Sequence, residues 1–100
     1  MYRELFLGFV RIHILYHASR EEVAGVGLSR ELARHGYYLS PGTLYPTLRQ
    51  LEKEGYLKSE SRVEEGRRRV YYTATAKGRK ALAKAKTQAE ELLREISEEG

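Results

Sequence analysis

Both prolines of the chain, Pro41 and Pro46, fall inside one stretch, "LSPGTLYPTLRQLEKEG", whose apolar residues are spaced for a helix. Leu44, Leu48 and Leu51 lie four and three residues apart, which puts them on one face. A helix accepts proline at its first position, where the missing N–H would have no partner. Ser40 just before it is a favoured N-cap, and Gly55 is a C′ glycine, so a helix is predicted over 40–54. Pro46 costs more, because it removes a bond to the carbonyl four residues back and crowds that carbonyl. The residue there is Gly42, whose backbone yields most easily. The strain is confined to the first turn and a half, so this end is expected to be bent or wide and to face a ligand.

If the leucines point inward, Gly42, Thr43, Pro46, Arg49, Gln50 and Lys53 point outward, with Tyr45 on the flank. None of these is acidic. Hydroxyls, an arginine, a glutamine and a lysine are groups that contact phosphates and base edges.

The flanking segments define the rest. Residues 2–18 carry Leu5, Phe9, Ile12 and Tyr16 at helical spacing, widened by Phe6, Val10 and Ile14, and predict a largely buried first helix. "SREEVAGVG" (19–27) reads as a loop or weak turn, since its glycines argue against helix. "LSRELARHG" then gives a short helix stopped by Gly36. Beyond Gly55 the period changes. "YLKSESRV" and "RRVYYTAT" read as strands around "EEGR", with Gly66 at the tip of a tight turn. Thr75 can cap a last helix, where Leu82, Ala85, Ala89, Leu92 and Ile96 are spaced three, four, three and four apart, a short heptad seam. The expected fold is α+β, mostly α: a winged helix-turn-helix with a two-stranded wing over 1–78. A C-terminal dimerisation helix over 79–100 belongs to the same structural unit.

Charge tells the same story. Residues 1–80 hold 15 Lys and Arg against 9 Glu, whereas residues 81–100 hold 3 against 5. A basic body with an acidic tail suggests a polyanion partner for the body. Arg67, Arg68 and Arg69 follow the turn directly, with Arg62 on the preceding strand. Alternation makes such a tip basic on both faces, which suits a phosphate backbone or a minor groove. Protecting an edge strand would be served equally by glutamate.

Other classes fit poorly. The chain has no Cys and no Asp, and no Gly-rich phosphate loop sits between a strand and a helix, so an enzyme is not expected. His13 and His17 stand four apart on one helix face, a spacing that can bind metal. They are read instead as bordering the core or the dimer seam, and neither metal nor cofactor is predicted. No apolar run reaches membrane-spanning length, so the expected location is cytoplasmic, with no membrane partner. The competing reading is a winged helix serving only protein–protein interaction, which leaves the basic wing without a purpose.

"LSPGTLYPTLRQLEKEGYLKS" followed by "GRRRVYYTATAKGRKAL" closely resembles the PadR family of transcriptional regulators. That family's signature is Ser-Pro-Gly-Thr-Leu-Tyr-Pro, then Leu-Glu-x-x-Gly, then an aromatic strand entering Thr-x-x-Gly. The single short C-terminal helix is similar to the smaller subgroup, in which one helix per subunit builds the dimer. The resemblance implies a homodimeric repressor on a palindromic double-stranded DNA operator, often answering to small aromatic effectors. Family DNA contacts would carry over to Ser40, Thr43, Tyr45, Arg49 and the wing arginines. The tryptophans that line an aromatic-binding pore in some members are missing, since this chain has no Trp.

Overall fold

The computed structural model describes residues 1–99, ordered as α1 (Tyr2–Arg20), β1 (Val23–Ala24), α2 (Gly25–Arg34), α3 (Pro41–Lys53), β2 (Leu57–Glu64), β3 (Arg67–Ala74) and α4 (Ala76–Glu99). The strands form one antiparallel sheet in the order β1-β3-β2. The wing hairpin runs from Leu57 opposite Ala74 to Glu64 opposite Arg67. Its two-residue turn places Glu65 at φ 51° and Gly66 at φ 77°, the type I′ geometry whose twist matches paired strands.

Three expectations change. The segment 19–27 is not a loop: it supplies β1 and the first turn of α2, which begins at Gly25 rather than Leu28. The sheet therefore has three strands, with Val23 and Ala24 pairing Tyr72 and Tyr71. Gly25 is in the helix because the Tyr45 ring lies against it. A Cβ there would meet Tyr45 Cε1 at 2.6 Å. Packing overrides propensity at this point.

The third change concerns α1. Val10, Ile14, Leu15 and Ala18 enter the core, whereas Leu5, Phe9, Ile12 and Tyr16 lie on an exposed face. The helix is apolar on both sides, and its own winged helix covers only one of them.

The core joins those four residues to Leu28 and Leu32 of α2, Leu44, Leu48 and Leu51 of α3, and Leu57, Tyr72 and Ala74 of the sheet. Burying each large aliphatic side chain contributes about 1.5–3 kcal/mol before the entropy of ordering it. Thr47 is buried among them, its hydroxyl donating to the Thr43 carbonyl at 2.8 Å. α3 runs unbroken through Pro46.

The start of α4 is sewn to the end of α3. Thr75 Oγ1 donates to the Gly55 carbonyl at 2.6 Å and accepts from the Gly78 N–H at 3.0 Å. Lys77 Nζ donates to the Glu54 carbonyl at 2.7 Å. Gly78 is tightly enclosed: a Cβ there would stand 2.2 Å from the Tyr56 carbonyl oxygen and 3.4 Å from Leu15. Backbone cannot swing aside as a side chain can. Gly78→Ala is therefore expected to destabilise the protein by about 3 kcal/mol or more, at the upper end of overpacking costs. Denaturant unfolding checks this, and a change under about 1 kcal/mol would show that the junction relaxes freely.

Candidate nucleic-acid interface

The inward leucines of α3 leave Ser40, Gly42, Tyr45, Pro46, Arg49, Gln50 and Lys53 exposed and Thr43 half-buried. Ser40 has the extended backbone of an N-cap, but its hydroxyl makes no capping bond. It approaches the Thr43 hydroxyl instead, at 3.3 Å. The Thr43 and Leu44 N–H groups both donate to the Ser40 carbonyl, so the start of the helix presents the Ser40 and Thr43 hydroxyls and the Gly42 N–H, groups that can meet an anion. Gln50 Nε2 donates to Glu54 Oε2 at 3.1 Å, so its amide is partly engaged.

Between α3 and the wing lies an open cleft of about 720 Å³. Arg49 enters it from α3, Arg67, Arg68 and Arg69 from β3, and Arg30 from α2, around a floor that includes Tyr45 and Tyr72. Burial pushes the Tyr72 phenol above its ordinary range. Glu52 borders this region but accepts from Ser59 Oγ at 2.6 Å, which fastens α3 to β2. Five arginines and no carboxylate line the cleft, which makes it attractive to phosphate.

Along the wing, Arg68 donates through Nε to Ser61 Oγ at 2.7 Å, while Arg69 Nε stands 3.7 Å from Glu64. All three wing arginines are exposed. Arg62 has a different setting. It donates to both carboxylate oxygens of Glu22 and to Glu60 at 2.6 Å, and its guanidinium lies 4.6 Å above the Tyr71 ring. Those carboxylates hold Arg62 firmly protonated, and the Arg62 bond lowers the Glu22 carboxyl below the usual range. Arg62 is a strut between β2 and the turn before β1, already supplied with anions. Arg30 was missed in the sequence because it precedes the predicted recognition segment and reaches the cleft only through the packing of α2 on α3.

The seam residues divide. Leu82 and Ala85 are half-buried, packing toward α1, whereas Ala89, Leu92 and Ile96 are exposed. Between α1 and α4 runs an apolar groove of about 630 Å³ whose lining includes Phe9, Ile12, Tyr16, Leu82, Ala85 and Ala89. At its edge stand His13, His17 and His35. The sequence paired His13 with His17; the fold instead brings His35 and Glu31 of the second helical region to His17. Among the described residues no helix is long and apolar enough to cross a membrane.

The profile of the transcriptional regulator PadR-like family matches residues 14–84. The chain is 54% identical over 94 residues to the transcriptional regulator Rv3488 of Mycobacterium tuberculosis, covering 94% of this chain and 88% of that protein. It superposes on a PadR family regulator from Eggerthella lenta with a TM-score of 0.85 at 33% identity, over 98% of this chain and 87% of the other. Bacillus subtilis PadR, solved in complex with operator DNA, shares the fold with a TM-score of 0.69 at 19% identity, over 76% of this chain and 45% of that one. The match of motif, fold and profile places this chain in the PadR-like family of transcriptional regulators.

Proposed function

We infer that this chain binds a palindromic double-stranded DNA operator as a homodimer and represses transcription in the cytoplasm. α3 enters the major groove, and the wing lies on the backbone or in the adjacent minor groove. The observation that carries this reading is the cleft where Arg30, Arg49 and the three wing arginines converge beside the exposed start of α3. Arginine forks match phosphate oxygens and the O6/N7 edge of guanine, so one cleft offers both attraction and readout. The shared fold with Bacillus subtilis PadR, solved in complex with operator DNA, supports DNA as the partner.

The dimer is supported by two apolar faces left in water. Phe9 and Leu5 on α1 and Leu92, Leu93 and Ile96 on α4 are each roughly half exposed or more. Exposed apolar residues on two neighbouring helices mark an association surface.

Arg49→Ala is expected to relax sequence preference and weaken specific binding by about 1–3 kcal/mol while leaving non-specific affinity nearly intact. Fluorescence anisotropy on the DNA just upstream of the gene and on a scrambled duplex measures both. Equal wild-type affinity for the two duplexes across a salt series would remove sequence-specific regulation from this chain. Full specificity in the Arg49 variant would remove that residue from the reading surface.

A further inference from the structure

We propose that His17, Glu31 and His35 form a binding site for a divalent transition-metal ion of the zinc class. Each residue offers one ligand atom, and these atoms all lie within 4.8 Å of one another. Ligand atoms about 2.0–2.2 Å from a tetrahedral ion sit roughly 3.4 Å apart. The remaining closure is small and falls on residues that can move: His35 is exposed just past α2, and Glu31 is only half-buried. Two imidazoles and one carboxylate form a set that zinc uses with a fourth position open to water or another ligand.

A second observation points the same way. Nε2 of His17 is buried and has no hydrogen-bond partner in the protein. Leaving such an atom unpaired is costly, and coordination would satisfy it.

All three histidines of the chain meet here. His13 stacks on His35 with ring centroids 5.3 Å apart and touches Tyr37 at 4.9 Å. Ring stacking accounts for His13 and His35. It does not account for the unpartnered nitrogen of His17 or for a carboxylate beside it.

The charged neighbours do not forbid an ion. Arg34 donates to Glu31 Oε1 at 3.0 Å, but its side chain is 73% exposed and can turn into water. Arg20 is held elsewhere, donating to the Tyr16 hydroxyl at 2.7 Å. The nitrogen-rich set disfavours calcium and magnesium, which take oxygen ligands, and favours zinc, nickel, cobalt or copper. Ligands from α1 and from the α2 end would staple those helices together, at the edge of the groove beside α4. No residue of the arginine cleft takes part, so this site stands or falls apart from DNA binding.

The test is calorimetric titration of the full chain with zinc chloride alone, beside magnesium chloride, with thermal melts at each metal concentration. The expected result is saturable binding of one zinc per chain, a melting temperature that climbs with zinc, and no response to magnesium. Cobalt should give visible d–d absorption that zinc displaces. His35→Gln alters an exposed residue and leaves the metal-free melt unchanged, yet should weaken zinc by more than the roughly 10–100-fold typical of losing an outer-shell partner. His17→Gln and Glu31→Gln should act in the same direction, and His13→Gln should retain binding. Absence of saturable zinc binding, or zinc affinity undiminished in His35→Gln and in His17→Gln, would overturn the assignment.

Discussion

Replacing Leu92 and Ile96 with glutamate is expected to leave the protein monomeric and to abolish its tight hold on a two-half-site operator. Both side chains lie more than half exposed on α4, at 55% and 58%, so neither supports the fold of its own subunit. The proximal part of the seam behaves differently, with Leu82 and Ala85 turned toward α1. Across a symmetric contact each buried Leu or Ile contributes about 1.5–3 kcal/mol. Three such residues per chain outweigh a middling association cost within the range of about 4–15 kcal/mol. Glutamates at the same positions would face their symmetry mates and lose hydration, reversing the balance. A monomer holds one half-site only, and losing the tethered second contact costs roughly 100- to 10,000-fold in affinity. Sedimentation and anisotropy on one sample decide. A variant that stays dimeric would exclude this seam as the interface. The melting temperature should fall and lose its dependence on protein concentration, because association no longer adds to the stability of the folded subunit.

The next largest effect belongs to the wing. With Arg67, Arg68 and Arg69 changed together to alanine, binding should weaken on every sequence, and the log–log salt slope should fall by about 0.9 for each lost phosphate contact. If all three touch phosphate in both subunits of the dimer, the slope drops by about 5.4 per operator, and the affinity falls with it. The hairpin should survive, since its register depends on the backbone ladder and on Glu52 holding Ser59. An unchanged slope would take the wing off the backbone. Arg62 serves as an internal control: its alanine variant loses the Glu22 and Glu60 bonds and should affect stability more than slope. The contrast with Arg49 is diagnostic. Wing changes act uniformly, whereas Arg49 changes act on preference.

Where local punctuation decides the structure, the sequence was readable. Ser40-Pro41, Gly55, the Glu65-Gly66 turn and Thr75 each mark a boundary by backbone chemistry, and each boundary falls at its predicted place to within a residue or two. Where distant contacts decide, it was not. β1 exists because Val23 and Ala24 find Tyr72 and Tyr71 nearly fifty residues away, and two residues carry no period to detect. Gly25 looked like a helix breaker, although it is the seat of Tyr45. In α1 both faces are apolar, so spacing could not tell the core stripe of Val10 and Ile14 from the open stripe of Phe9 and Ile12. The cleft suffered likewise: Arg49 was visible on its helix, but Arg30 needed the packing of α2 on α3. Glu31 and His35 reach His17 across two helices with no repeating interval to betray them.

The stitching of Thr75, Lys77 and Gly78 to the end of α3 has a mechanical consequence. It makes α4 a stiff arm rather than a tether, 24 residues and so about 36 Å long. In the proposed dimer, pivoting one subunit by about 5° around the far end of that arm would shift its reading head by about 3 Å, close to the 3.4 Å rise of one base pair. Angular play of a few degrees is thus the whole difference between adjacent operator spacings. In such a dimer, so short an arm and so tight a joint would act as a caliper, and anything that wedged the hinge would retune the gap between the two reading heads.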